Sequence, residues 1–199
     1  HRSEPVALSD MIPVLENMGF RVLMERPYEI SLRDQDAIWV QDFALQTTLE
    51  VAVEIDEISS NFTAALRSIW SGDAEDDRFN RLLIAVGLDW RSVALFRLYA
   101  RYLKQLGVSY SQDFIANTLA EHHRICADLM RFFNALFDPK NRPETDDGAR
   151  PKEIKAGLMS QLDKVENISQ DNVLRAYIEL MEATPRCNFY QRCASGEAK

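Results

Sequence analysis

The sequence predicts an α+β fold, predominantly α, in which a helix-strand-strand segment precedes a domain of several helices. Three observations carry this expectation. Apolar and polar residues alternate only between about residues 20 and 45. From residue 55 onward the apolar residues recur at helical spacing. Capping residues and glycines punctuate that spacing at intervals suited to helices of two to four turns.

The first helix is expected to start at Ser9, with Leu8 before it as the outer half of a hydrophobic staple. Ile12, Leu15 and Met18 share one face, and Gly19 supplies the stop. A strand follows over Phe20–Ile30, where Phe20, Val22 and Met24 alternate with Arg21, Leu23 and Glu25. Asp34, Gln35 and Asp36 make a polar turn. A second strand then places Trp39, Phe43 and Leu45 on one face and Ile38 and Val40 on the other. Two strands and one helix bury a sheet poorly. The expectation is that something before His1, or a later segment, completes it.

The next helix carries Ile55, Ile58, Phe62, Leu66 and Ile69 on one face and ends near Gly72. An acidic link, residues 73–77, leads to the apolar stretch 79–86. Asp89 caps a helix with a broad apolar face formed by Val93, Phe96, Tyr99, Ala100, Leu103 and Leu106, and Gly107 stops it. Leu95, Leu98 and Tyr102 lie beside that face. Ser111 caps another helix, with Phe114, Ile115 and Leu119. His122-His123 marks a break before Ile125, Leu129, Phe132, Phe133, Leu136 and Phe137. Residues 140–150 read as a flexible loop. Pro151 suits a first helical position, followed by Ile154, Leu158, Leu162 and Val165. Ser169 caps a last helix with Val173, Leu174, Tyr177, Ile178 and Met181, ended by Pro185. The resulting organisation is 1–50 as an αββ segment, 51–191 as a helical domain and 192–199 as a disordered tail.

The 199 residues hold 31 acidic and 23 basic side chains, a formal net charge of -8, which disfavours nucleic acid and anionic membrane as partners. No apolar run approaches a membrane span, the longest being 82–88. No signal peptide opens the chain, and the absence of an initial Met marks it as an expected piece of a longer polypeptide. Cys126, Cys187 and Cys193 are too few and odd in number for a disulfide scaffold, which favours a cytoplasmic home. Cys187 and Cys193 have the wrong spacing for a zinc knuckle, and no second half-site exists.

None of the seven glycines pairs as Gly-x-Gly, so neither a dinucleotide fingerprint nor a P-loop is present. His-Glu-x-x-His and Gly-x-Ser-x-Gly are also missing. His122 and His123, adjacent on a helix, point about 100° apart and do not share a metal easily. Accordingly no catalytic, cofactor-binding or metal residue is assigned. The best polar constellation is a basic stripe, Arg97, Arg101 and Lys104, with Arg91 earlier. It reads either as an anion or acidic-surface site, or as a solvated face paired with Glu75, Asp76 and Asp77. The solvated face is favoured. Trp39, Trp70 and Trp90 read as packing residues, because a base-stacking surface would sit in a positive field.

Several ordered blocks carry a resemblance. They include Leu15-Glu16-Asn17-Met18-Gly19-Phe20, Glu25-Arg26-Pro27-Tyr28-Glu29-Ile30 and Ile38-Trp39-Val40-Gln41-Asp42-Phe43. Asp76-Asp77-Arg78-Phe79-Asn80-Arg81-Leu82, Leu88-Asp89-Trp90-Arg91 and Leu98-Tyr99-Ala100-Arg101-Tyr102-Leu103 follow. Phe137-Asp138-Pro139 and Thr184-Pro185-Arg186-Cys187-Asn188-Phe189-Tyr190-Gln191 close the series. Together they resemble the large-subunit bacterial NAD-specific glutamate dehydrogenases, from about Leu8 to Gln191. Pro185 and Cys187 depart from the Leu-like and Thr-like residues of that family.

The resemblance implies that the residues up to about 50 belong to the last of several ACT-like regulatory domains, and that the rest is a helical connector upstream of the catalytic part. It implies NAD as the parent's cofactor, with none bound by this piece, and no catalytic residue to carry over. The expected partners are other domains of the same polypeptide and further copies of the parent, a homo-oligomer. The alternative is a free-standing helical interaction or ligand-sensing module. A glycine-rich motif with a lysine, and a later Gly-x-Gly-x-x-Gly, in the sequence beyond Lys199 would decide between the two.

Overall fold

A computed structural model describes residues 5–31, 37–51, 54–141 and 149–191. Among these are eight α-helices and one two-stranded antiparallel sheet. The architecture is therefore α+β and mainly α, as the periodicity requires. The expected turn at residues 34–36, most of the 140–150 loop, and the 192–199 tail lie outside the described residues. The chain divides into two compact units, 1–94 and 95–199.

In the first unit, α1 (Leu8–Asn17) is capped by Ala7, whose carbonyl accepts from the N–H of Asp10 and Met11. Ser9 lies inside the helix and bonds Asp10 through its hydroxyl, so the expected Ser9 cap is corrected. Leu15 and Met18 are buried, with Val14 beside them. Gly19 ends the helix at φ 92°, and an added Cβ would meet Leu49 Cδ1 at 2.8 Å. Both the backbone and the space at that turn therefore call for glycine.

β1 (Phe20–Ile30) and β2 (Ile38–Thr47) pair in register from Phe20↔Thr47 to Ile30↔Ile38, with a bulge between Val22 and Met24. The extra residue, Leu23, shifts the facing of everything after it. Met24 is consequently 47% exposed rather than sharing the face of Phe20 and Val22, and Glu25 takes the inward position. On β2 the alternation is as expected: Trp39, Phe43 and Leu45 are half-buried and Val40 is exposed.

α2 (Ile55–Ser71) closes with Gly72 in the left-handed region at φ 81°, where Gly72 N–H bonds the Ile69 carbonyl and Asp73 N–H that of Ser68. Phe62 of α2 meets Phe20 of β1 edge to face, with centroids 5.7 Å apart. Asp77 caps a 3-10 turn (Arg78–Arg81) by accepting from Phe79 N–H. α3 (Leu82–Ala85) follows, buried along its whole length. Asn17 of α1 donates to Asp76 at 3.0 Å. These long-range ties join the αββ segment to residues well past 50. The compact unit ends near residue 94.

α4 (Trp90–Gln105) contains the boundary between the units. Asp89 caps it as expected, accepting from Ser92 N–H at 2.7 Å. In the second unit, Phe96, Ala100 and Leu103 of α4 are fully buried, whereas Leu106 is 61% exposed. Leu106 lies in the turn after the helix, and Gly107 reverses the chain there at φ 89°.

α5 (Gln112–Glu121) begins at the expected Ser111 cap, which accepts from Phe114 N–H. His122 breaks the run before α6 (His123–Phe137), whose Leu129, Phe132 and Phe133 are buried. α7 (Ala149–Leu162) places Pro151 two residues in, still within the first turn. α8 (Ile168–Ala183) is capped by Asn167, whose side-chain oxygen accepts from Ser169 and Gln170 N–H, which corrects the expected Ser169 cap. Tyr177 of α8 is fully buried and donates its hydroxyl to the Phe96 carbonyl at 2.8 Å. This bond ties the first and last helices of the unit.

Candidate functional site

Among the described residues each unit holds an apolar hollow. In the first, Met11, Trp39, Gln41, Leu66, Arg67 and Trp70 surround about 770 Å³. Trp39 and Gln41 point inward because they alternate with exposed Val40 and Asp42 on β2. Gln41 is the polar residue at an inward position, and its amide is fully used. It accepts from Val6 N–H and donates to the Val6 carbonyl, both at 2.9 Å, and donates to Glu25 at 3.2 Å. The sequence signal was present: one amide within an otherwise apolar inward series, Trp39-x-Gln41-x-Phe43.

In the second unit, α4, α8 and residues 184–191 enclose a groove of about 600 Å³. Leu98 and Tyr102 stand exposed on its α4 side. Tyr99 meets Thr184 at 3.1 Å, and the Thr184 hydroxyl donates onward to the Leu180 carbonyl at 2.7 Å. Burial raises the Tyr99 phenol above its ordinary value, the Thr184 contact opposing it. The phenol is thus a structural donor rather than a base at neutral pH. Phe189 and Tyr190 of the closing motif pack on Phe133, with Phe189 edge to face at 5.5 Å. Tyr190 also donates to Asn134.

The candidate residues differ in burial and in partner. Arg97 is only 3% exposed, so it does not belong to a solvated stripe, while Arg101 and Lys104 are exposed. Helical spacing put the three on one face, but a helix inside a bundle has more than one buried flank. Asp76 is engaged by Asn17, and Asp77 by the 3-10 turn it caps. His122 Nε2 pairs with Gln170 Oε1 at 3.0 Å, bridging the α5–α6 junction to α8. Cys126 is buried, and desolvation pushes its thiol far up, leaving it inert. Cys187 is free and accepts from Phe189 N–H. Cys193 and His1 lie outside the described residues. Among the described residues no group of three or more His, Cys, Asp or Glu is placed to hold a metal. Trp39, Trp70 and Trp90 are all half-buried.

A nicotinamide dinucleotide does not fit these residues. Such a ligand needs a glycine turn leading from a strand into a helix N-terminus. Here the strand-to-helix passage is β2 to α2, and it reads Leu49-Glu50-Val51-Ala52-Val53-Glu54, with no glycine and two carboxylates. The positive-φ glycines, Gly19, Gly72, Gly87 and Gly107, each come after a helix, and none leads from a strand into a helix. No helix among the described residues is long and apolar enough to cross a membrane.

Three family models match the chain in order. One described as glutamate dehydrogenase, ACT3 domain, matches residues 1–58. One described as glutamate dehydrogenase, helical motif 3, matches 74–139. One described as bacterial NAD-glutamate dehydrogenase, catalytic domain, matches 157–199, a stretch that the resemblance placed in the connector. Among curated proteins, the NAD-specific glutamate dehydrogenase of Halomonas elongata is 43% identical over 199 residues, all of this chain. That of Pseudomonas aeruginosa is 38% identical over 200, again covering the whole chain. That of Mycobacterium tuberculosis is 35% identical over 190, or 92% of the chain. The chain spans 12% of the length of each of these relatives.

Proposed function

Because the chain is a segment of the bacterial NAD-specific glutamate dehydrogenase family, we propose that it serves a longer enzyme as a non-catalytic regulatory and connecting stretch. It runs from an ACT-type end, through helices, into the beginning of the catalytic part. The parent oxidatively deaminates L-glutamate to 2-oxoglutarate and ammonia, with NAD accepting the hydride. It works in the cytoplasm as a homo-oligomer. The supporting observation is the order of the three matches along one chain, the ACT3 model first and the catalytic-domain model last.

What this chain's own residues do is mechanical. Tyr177, bonded to the Phe96 carbonyl, locks α8 to α4, so the elements matched to the catalytic domain are held on the helices before them. The Phe133, Phe189 and Tyr190 cluster fixes residues 184–191 against α6 and so sets the direction in which the chain proceeds. The division at about residue 50 marks where the regulatory end passes into the connector.

The test compares the purified 199-residue chain with the full-length polypeptide. Glutamate-dependent NADH formation is expected from the full-length protein and none above a contaminant control from the chain. A full-length protein that turns over no glutamate with NAD contradicts the enzyme reading and favours a free-standing interaction module. NADH formation by the chain alone contradicts its non-catalytic role.

A further inference from the structure

A smaller hollow of the second unit, about 320 Å³, lies where the break between α5 and α6 meets the end of α7. Its polar lining falls into two sets. One set is spent inside the fold. The Glu121 carboxylate accepts from the Gln170 amide, His122 Nε2 pairs with Gln170 Oε1, and the Gln161 amide donates to Asp128 at 2.7 Å. The other set is His123 and Arg124, which open α6, and Lys164, just past α7. These three have no hydrogen-bond or ion-pair partner among the described residues. Glu121, the one carboxylate of the lining, is therefore committed to α8, and the side chains left over are all basic. In a chain of net charge -8 that is a local reversal of sign.

Single exposed cations are usually just solvated. Here two elements bring theirs to one concave surface, walled by Ile125 and Val165, where fewer waters compete for them. Arginine offers a planar fork of donors, lysine a point charge and imidazole a further N–H, a set suited to a compact oxyanion. We propose that this hollow binds a small phosphate-bearing anion, held by Arg124 and Lys164 with His123 as a further donor. Arg124 lies in the stretch matched to helical motif 3 and Lys164 in that matched to the catalytic domain. A bound phosphate therefore ties the connector to the beginning of the catalytic part, a regulatory link that rests on the proposed parent enzyme. The binding itself needs no dehydrogenase activity.

Calorimetric titration of the full-length polypeptide with inorganic phosphate, and amide-shift titration of the 199-residue chain by nuclear magnetic resonance, test the site. Half-saturation at about 1 mM or below is expected, with the amides of His123, Arg124 and Lys164 moving together. Arg124→Gln and Lys164→Gln are each expected to weaken binding about tenfold, with melting temperatures unchanged, and Lys104→Gln, outside the hollow, to leave it as it was. Tighter binding of glycerol phosphate than of inorganic phosphate identifies an ester as the occupant, and equal affinity identifies free phosphate. Shifts that sodium chloride reproduces at equal ionic strength, an affinity unchanged in both variants, or no saturation by about 10 mM overturns the proposal. So does binding by the 199-residue chain that is lost in the full-length polypeptide, because other polypeptide then fills the hollow. A full-length protein that binds phosphate but turns over no glutamate contradicts the enzyme reading and upholds the site.

Discussion

Leu23, Met24, Tyr28, Ile30 and Val40 are each 45–59% exposed, and all five belong to the hairpin of the first unit. The helical core of the second unit buries side chains of the same kind, although Leu98, Tyr102, Leu106 and Ile168 at its surface are exposed. Phe96, Ile115, Leu119, Leu129, Phe133 and Tyr177 are each essentially inaccessible. The difference follows from geometry. A helix needs one neighbour for each apolar stripe, and α4 to α8 supply those neighbours to one another. A two-stranded sheet has two faces and two edges, and α1 and α2 can cover only one face. Among the described residues the helices of the second unit thus cover one another's apolar stripes, while the hairpin of the first leaves apolar side chains exposed.

The contrast is sharpest at Phe96. Phe96→Ala is expected to destabilise the second unit by about 3–5 kcal/mol, the range for emptying a fully buried aromatic site. Tyr28→Ala, of similar size but 49% exposed, is expected to cost less than about 0.5 kcal/mol. Urea titrations of the two variants give both values. Equal losses would mean that the hairpin face is covered within this chain.

Within the first unit the costly place is the turn, not the exposed face. Gly19→Ala is expected to lose about 1–3 kcal/mol, since φ 92° strains any side chain and Leu49 must move from 2.8 Å. A neutral result in a thermal melt would mean that the α1–β1 turn relaxes freely.

The second unit should also be sensitive to alkali. Tyr177 is raised well above its ordinary value, first by burial and then by the neighbouring Cys126, and Cys126 is raised by burial. The unfolded chain releases these protons near pH 10 for tyrosine and about 8.5 for cysteine, and the folded chain keeps them. The stability is therefore complete below pH ~8.5 and is lost as pH rises through and beyond these values. Melting temperatures from pH 7 to 11 are expected to fall at the alkaline end. Tyr177→Phe and Cys126→Ala should flatten that fall. Tyr177→Phe should also lose about 1 kcal/mol at neutral pH with the Phe96 carbonyl bond.

The smallest effect separates two capping residues. Asn167→Ala is expected to cost about 1 kcal/mol and Ser169→Ala only a few tenths, because Asn167 is the residue that holds the two orphan amides of α8. The reverse order would restore the cap read from the sequence.

That pair also shows what the sequence could convey. Asp89 and Ser111 were readable as caps because each stands alone ahead of an apolar run, whereas Asn167 and Ser169 compete within three residues. The strand pairing was readable from period-two alternation, but the bulge was not. Leu23 is as apolar as Val22 and Met24, so one inserted residue leaves no mark in the pattern. Arg97 was misjudged because i, i+4 spacing shows that charges share a face and not whether that face is covered. The extent of the first unit depends on Phe20 meeting Phe62 and Asn17 meeting Asp76, pairings about 40 to 60 residues apart that no local pattern announces. At the site, the lack of any Gly-x-Gly pair is a property of the sequence itself. The role of Gln41 required the backbone of Val6 to be placed beside it.

All three tryptophans, Trp39, Trp70 and Trp90, lie in the first unit, while five of the eight helices among the described residues, α4 to α8, lie wholly or mainly in the second. A single urea titration of the 199-residue chain, followed by tryptophan fluorescence and by far-ultraviolet circular dichroism, therefore reads the two regions separately. The account predicts that the fluorescence transition comes at lower urea than the main loss of helix, because the hairpin of the first unit leaves its apolar side chains exposed. Coincident transitions with one midpoint, the mark of a single cooperative structure, would contradict it.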